Sequence, residues 1–241
     1  MAAMKRATLS RVLTVVAVAT LGALGCGLIS SDVTKVSFDM PRKTYTFDSA
    51  SFGVPAGNSA PIPCGAAPLV TDCCNPLGVN AGCNAQRTVM CESAVCTLHQ
   101  VVSIPQKVDF KMEVPALASV SDQHLANMSF ESLNYMVVSN TLNVAVPPLQ
   151  LYLAPAAVTM LPSADAVLFG TVDMIPAGQT PSGSIHKTDD ADATFAKFGS
   201  TLGTPFNILI GTTIVVPSGS PTPTGRVQVA VTGTFAAKLA L

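Results

Sequence analysis

Six of the seven cysteines of this chain fall between Cys64 and Cys96, spaced C-x8-C-C-x8-C-x7-C-x4-C. A zinc site would need paired C-x2-C or C-x2-H arms, and none exists; His99 is the only histidine nearby. A redox centre would want an exposed C-x-x-C pair, which is also missing. Cys64, Cys73, Cys74, Cys83, Cys91 and Cys96 are therefore expected to form three disulfides, with the pairing left open. Residues 51–96 otherwise read as Gly, Pro, Ala and Asn with few large apolar side chains, too little for a core of their own. Each bridge closing a loop of this length contributes on the order of 3 kcal/mol by restricting the unfolded chain. The expectation is a stapled, loop-rich insert at about 51–100 that projects from the body of the protein.

Disulfides imply an oxidising compartment, and the start of the chain supplies a route to one. Lys5, Arg6 and Arg11 form a basic head, Val12–Leu24 is an uncharged apolar run, and Ala23 and Gly25 are small residues before Cys26. That is the plan of a secretory signal; the apolar run is too short for the roughly 20 helical residues a bilayer core requires. Residues 1–25 thus read as a signal peptide and 26–31 as a tether. Either an ordinary signal peptidase or a lipoprotein peptidase could cut before Cys26. Cysteine counting favours the second, because Cys26 is the odd one out and an acylated cysteine needs no partner.

Removing the leader takes three of the thirteen basic residues, leaving ten against fourteen acidic ones and a net charge near −4. No basic patch survives to bind nucleic acid. Only 11% of residues are charged, against about a quarter in an average domain. Polarity comes instead from Ser, Thr, Asn, Gly and Pro, the vocabulary of strands and turns.

The rest of the chain alternates. Val33–Asp39 and Lys43–Phe47 read as two short strands parted by Pro41, and Lys107–Val114 as a half-buried strand with Val108, Phe110, Met112 and Val114 on one face. Ala116–Asn127 reads as a short helix or loop, and Ser129–Val138 with Thr141–Val146 as a hairpin. Pro147-Pro148 precedes an alternating Leu149, Leu151 and Leu153 and predicts an edge or a bulge. Val167–Ile175, Phe206–Val216 and Gly225–Leu241 are further strand candidates. A single helix is predicted, capped by Thr188 or Asp189, with Asp189, Asp190 and Asp192 in its first turn and Ala191, Phe195, Phe198 and Leu202 on one face. Eight to ten short strands with one helix and no βαβ alternation predict a mainly β fold. The expected architecture is an antiparallel, immunoglobulin-like β-sandwich over residues 32–241, with one short helix and the stapled insert.

There is no Gly-x-Ser-x-Gly and no phosphate-binding glycine loop, and His99, His124 and His186 are scattered without a neighbouring carboxylate motif. The Asp189-Asp190-Asp192 cluster lacks the glycine-centred spacing of a calcium loop. Met112, Met128, Met136, Met160 and Met174 are spread through strand patterns and read as core filling. No catalytic residue, metal ligand or cofactor-binding residue is predicted.

Ala23-Leu24-Gly25-Cys26 resembles the lipobox of bacterial lipoproteins, although leucine is usual at Ala23's position. The resemblance implies diacylation of Cys26 and its exposure as the new N-terminus. Several acyl chains, at about 0.8 kcal/mol per buried CH₂, hold firmly where one is marginal. Gly27 in place of an aspartate implies sorting to the outer membrane. Together with the stapled loop, Asn140–Pro155 and Gly219–Gly225 look similar to segments of secreted lipoproteins of deltaproteobacterial, myxobacterial type. By strand pattern the body also resembles Lea-type and other immunoglobulin-like sandwiches. These resemblances imply a non-enzymatic outer-membrane lipoprotein whose partners are the membrane, through its anchor, and another envelope or surface protein, in a structural, adhesion or motility role. The competing expectation is a carrier that holds a lipid or other apolar ligand between its sheets.

Overall fold

Val227, Val229, Val231, Phe235 and Ala237 are all buried, and the strand that carries them is the spine of one of two sheets. A computed structural model describes residues 35–52, 60–64, 73, 84–115, 125–199 and 203–239. Their elements in chain order are β1 (Lys35–Asp48), a 3-10 turn (Ser49–Phe52), β2 (Arg87–Glu92), β3 (Val95–Val108), α1 (Phe110–Glu113), β4 (Leu125–Asn140), β5 (Leu149–Pro155) and β6 (Val167–Val172). They continue with β7 (Ser182–Ser184), β8 (His186–Lys187), α2 (Ala191–Gly199), β9 (Phe206–Pro217) and β10 (Arg226–Leu239). A four-stranded sheet has the order β1-β10-β4-β7 and a six-stranded sheet the order β2-β3-β9-β5-β6-β8. Every strand pairing is antiparallel. The fold is the expected mainly β, immunoglobulin-like sandwich, in which two antiparallel sheets bury their facing sides.

A cluster of phenylalanines joins the layers. Phe195 of α2 lies 4.2 Å from Phe130 of β4 and 4.7 Å from Phe235 of β10, ring centre to ring centre. Phe110 reaches Phe206 of β9 at 5.4 Å and Phe38 of β1 at 5.8 Å. Gly233 makes room in β10: a Cβ there would sit 2.9 Å from the Leu133 side chain. One stretch of β9, Phe206–Thr212, is buried on both faces. Its outer side is covered by the 156–166 loop, where Leu161 packs with Leu209 and Ala154, and Asn207 Nδ2 donates to the carbonyls of Ala156 and Val158.

Several sequence expectations change. The two N-terminal strands are one, β1, with a bulge between Met40 and Lys43 that absorbs Pro41. The alternation at 107–114 does not stay extended beyond Val108. Asp109 caps a one-turn helix: its carboxylate accepts from Met112 N, and the Glu113 carboxylate reaches back to accept from Asp109 N. Phe110 thereby turns inward while Met112 is 82% exposed. There are thus two helices among the described residues, not one. The Ser129–Val146 hairpin does not form, because β4 pairs with β10 and β7. Of the methionines read as core, Met128 is buried, but Met112, Met136, Met160 and Met174 are exposed. α2 is where it was predicted. Asp192, expected only to favour the helix dipole, also accepts from Phe130 N at 2.9 Å and pairs with Lys187, pinning the helix to β4.

The two ends of the sandwich differ. β1 runs from Lys35 to Asp48, about 45 Å at the usual rise per residue, so these residues mark opposite ends. Lys43 Nζ donates to Lys107 O and Gln106 Nε2 to Thr44 O. β3 therefore runs opposite to β1 here, and its start lies toward the Asp48 end. Pro217, opposite Thr97 on β3, and Arg226, opposite Asp48 on β1, close that end through their connecting loop.

Candidate functional site

The Asp48 end carries the four described cysteines, Cys64, Cys73, Cys91 and Cys96. β2 and β3 form a hairpin closed by Ser93 and Ala94, both with positive φ (51° and 65°), the paired left-handed geometry that matches hairpin twist. Neither is a glycine, so the turn is held from outside. Ala94 O accepts from Cys64 N, and Ile62 O accepts from Cys96 N. Cys91 stands directly across from Cys96 in the hairpin register. They do not bridge each other: Cys91 bonds Cys64 and Cys96 bonds Cys73, with Cα separations of 5.9 and 5.4 Å.

The two bridges lie side by side, since the sulfurs of Cys64, Cys73 and Cys96 are all within 4.8 Å of one another. As disulfide sulfurs they offer no thiolate to a metal. Cys26, Cys74, Cys83 and His124 lie outside the described residues. The greater part of the stapled segment expected to project, 53–59, 65–72 and 74–83, also lies outside the described residues. Cys73, Val89, Cys96, Leu98 and Phe52 are buried members of the main core, so the staples secure an end of the sandwich itself. The reading of 51–96 as loop misses β2 and the start of β3, where Arg87–Glu92 and Val95–Leu98 carry only Val89, Met90, Val95 and Leu98 as large apolar residues between the cysteines.

Next to the clamp, Ser218 continues the lacing: Ser218 N donates to Cys96 O, and Ser218 Oγ accepts from Ile62 N. Beyond it a cavity of about 260 Å³ opens between the last residues of β9 and two neutral walls, Asn143–Pro147 and the Ser220–Pro223 turn. Asn143 ties the walls together, its Nδ2 donating to Thr222 O and its Oδ1 accepting from Thr224 N at 2.7 Å. Gly225 (φ +94°) lets the chain turn into β10 at this corner, where any Cβ would collide with the Thr141 carbonyl. A second cavity, of about 220 Å³, lies between Leu161-Pro162 and the outer face of the six-stranded sheet. Between the sheets, by contrast, the described residues pack ring against ring.

Two histidines acquire carboxylates only through strand pairing. His99 Nε2 lies 2.9 Å from Glu92 Oε1 and His186 Nε2 lies 3.3 Å from Asp173 Oδ2. Among the described residues neither imidazole is joined by a serine or threonine hydroxyl, and the second pair is 64% and 81% exposed.

A polar cluster under β1 is structural. Lys43 bridges Glu113 Oε1 at 2.7 Å, while Glu113 Oε2 and the Tyr45 hydroxyl are buried without a partner among the described residues. Burial, and secondarily the Glu113 charge, push the Tyr45 phenol far above its ordinary value. The neutral phenol is thus the folded form, and this contribution is whole below pH of about 10 and falls as pH rises beyond it. Tyr45→Phe removes an unpartnered hydroxyl. It is expected to leave stability unchanged or raise it by about 1 kcal/mol at pH 7, and to flatten the alkaline decline in urea melts.

No family model matches the chain, and no curated protein sequence matches it. Solved structures similar to it include a chain of turnip yellow mosaic virus at 12% identity, covering 60% of this chain and 82% of that one, with a TM-score of 0.27. A structure described as carbohydrate-binding modules of promiscuous specificity from the β-sandwich superfamily covers 86% of this chain and 57% of its own, at 5% identity and a TM-score of 0.26. A chain of Desmodium yellow mottle tymovirus matches at 13% identity over 59% and 90%, with a TM-score of 0.23. Likenesses this loose do not bear on function.

Proposed function

We propose that the chain is a non-enzymatic outer-membrane lipoprotein, of the deltaproteobacterial envelope type its sequence resembles, that engages another envelope or surface protein. Its anchor is acylated Cys26, and the disulfide-clamped end is the part it offers to that partner. The observation carrying this reading is the direction of β1. The strand leaves the tether side at Lys35 and ends at Asp48, beside the clamp. A tether that reaches the sandwich at Lys35 would enter at the end opposite the clamp, about 45 Å away along β1. A surface held rigid before contact loses little entropy on binding, and both disulfides stiffen that end.

Cys26→Ala is expected to move the processed protein from the membrane to the soluble fraction on cell fractionation; retention in the membrane would refute the anchor. For recognition, a photo-crosslinking residue at Ser93, exposed at the hairpin tip, should give a discrete adduct with another envelope protein. One at Lys35 should not. Equal labelling from both ends, or none, would overturn the assignment of the clamped end.

A further inference from the structure

We propose that the open edge of β9 receives an uncharged, extended segment of the partner protein as an added strand. The inference rests on the reading of the clamped end as the recognition surface and gives that surface a mode of binding.

β9 pairs with β3 along its whole length, from Phe206 to Pro217, but with β5 only from Phe206 to Gly211. The cause is in the sequence. β5 could continue along β9 only through Pro148 and Pro147, which have no N–H to give a ladder. Thr212 Oγ1 meets the two proline carbonyls instead, at 3.4 and 3.2 Å. The chain then turns away to Val146, which exchanges both its backbone bonds with Ile175. From Thr213 to Val216 that side of β9 has no backbone partner among the described residues. Alternate residues of a strand turn both N–H and C=O to the same side, so this edge presents donors and acceptors in register to the cavity.

What fills such an edge must bring a backbone of its own. A lipid offers no matching donors, and a helix has already used its own. Nucleic acid would call for cations, yet the lining residues, among them Val144, Ala145, Val215 and Pro221, include no charged side chain. That neutrality specifies an uncharged segment. Wall prolines cannot donate to the edge and so leave it free, and Val215, 44% exposed, offers an apolar contact to an opposing β-branched side chain. The cavity is smaller than the roughly 300–1,000 Å³ of a pocket for a compact ligand, which suits a short stretch of extended chain. Strand addition of this kind draws affinity from main-chain bonds and selectivity from alternate side chains.

The test uses the full chain with an eight-residue peptide of alternating Val and Thr, flanked by terminal lysines for solubility. Its analogue is N-methylated at alternate backbone positions. The parent peptide is expected to slow hydrogen exchange in the fragment spanning Thr213–Val216 by about tenfold or more, and the N-methylated analogue to have no effect. Ala145→Trp, at an exposed wall position, should abolish protection without changing the melting temperature; if it unfolds, Ser220→Trp on the opposite wall gives the same reading. Equal protection by both peptides, protection elsewhere, or none would overturn strand addition. If the Ser93 adduct persists in that event, only the mode of binding fails; if it is lost as well, the recognition reading fails with it.

Discussion

Phe195→Ala is expected to cost about 3–5 kcal/mol, the usual range for deleting a buried aromatic ring. The ring is fully buried and is the means by which α2 grips both sheets. It meets Phe130 and Phe235 of the four-stranded sheet at 4.2 and 4.7 Å and Phe206 of the six-stranded sheet at 6.3 Å. Little can collapse into the gap, because each neighbouring ring is itself fixed by others. Against the 5–15 kcal/mol typical of a folded domain, such a loss leaves the sandwich near its threshold. The measurement is a urea titration, with a lower midpoint at an unchanged slope. Met112→Ala is the control: at 82% exposure it should stay within about 0.5 kcal/mol of the parent. A Phe195→Ala cost below about 1.5 kcal/mol would mean that the helix does not help to hold the layers together.

The paired substitution Cys73→Ser/Cys96→Ser should cost up to about 3 kcal/mol, the loop-closure value for a bridge spanning 23 residues when it closes its loop alone. Cys64→Ser/Cys91→Ser, spanning 27, should cost a similar amount by the same relation. The two bridges interlock: with Cys64–Cys91 intact, the path from Cys73 to Cys96 is already shortened through it. Removing both should therefore cost more than the sum of the single removals, because each in the other's presence closes a smaller loop. Melts of the single-bridge and bridge-free proteins, under conditions that exclude reshuffling, read this directly. Strict additivity would mean that the bridges act on native packing rather than on the unfolded chain.

What could be read from sequence follows the range over which each decision is made. β9, β10 and α2 were legible because Val227–Ala237 and Ala191–Phe195 repeat at the period of their own element. Lys107–Val114 carries a strand's alternation as well, but Asp109 and Glu113 satisfy the backbone of a helical turn locally, and two hydrogen bonds outweigh a pattern. Pro147-Pro148 was legible as a break and not as a consequence. β5 is an interior strand between β9 and β6, and the prolines end its pairing with β9 at Gly211, leaving Thr213–Val216, some sixty residues downstream, without a partner on that side among the described residues. The cysteines announced oxidation but not partners. Cys91 and Cys96, neighbours across a hairpin, each bond a cysteine from a preceding segment without strand pattern. The candidate site is built from missing pairings between distant segments, which no local pattern records.

The direction of β1 has a mechanical consequence. Any load applied at Lys35 and resisted at the clamped end draws this edge strand along its own axis. Its twelve register pairs with β10 then lie across the direction of pull and share the load at once, where peeling would open them one at a time. The bulge between Met40 and Lys43 divides that seam into an outer and an inner half. The inner half, next to the clamped end, holds the fully buried Tyr45 and Phe47.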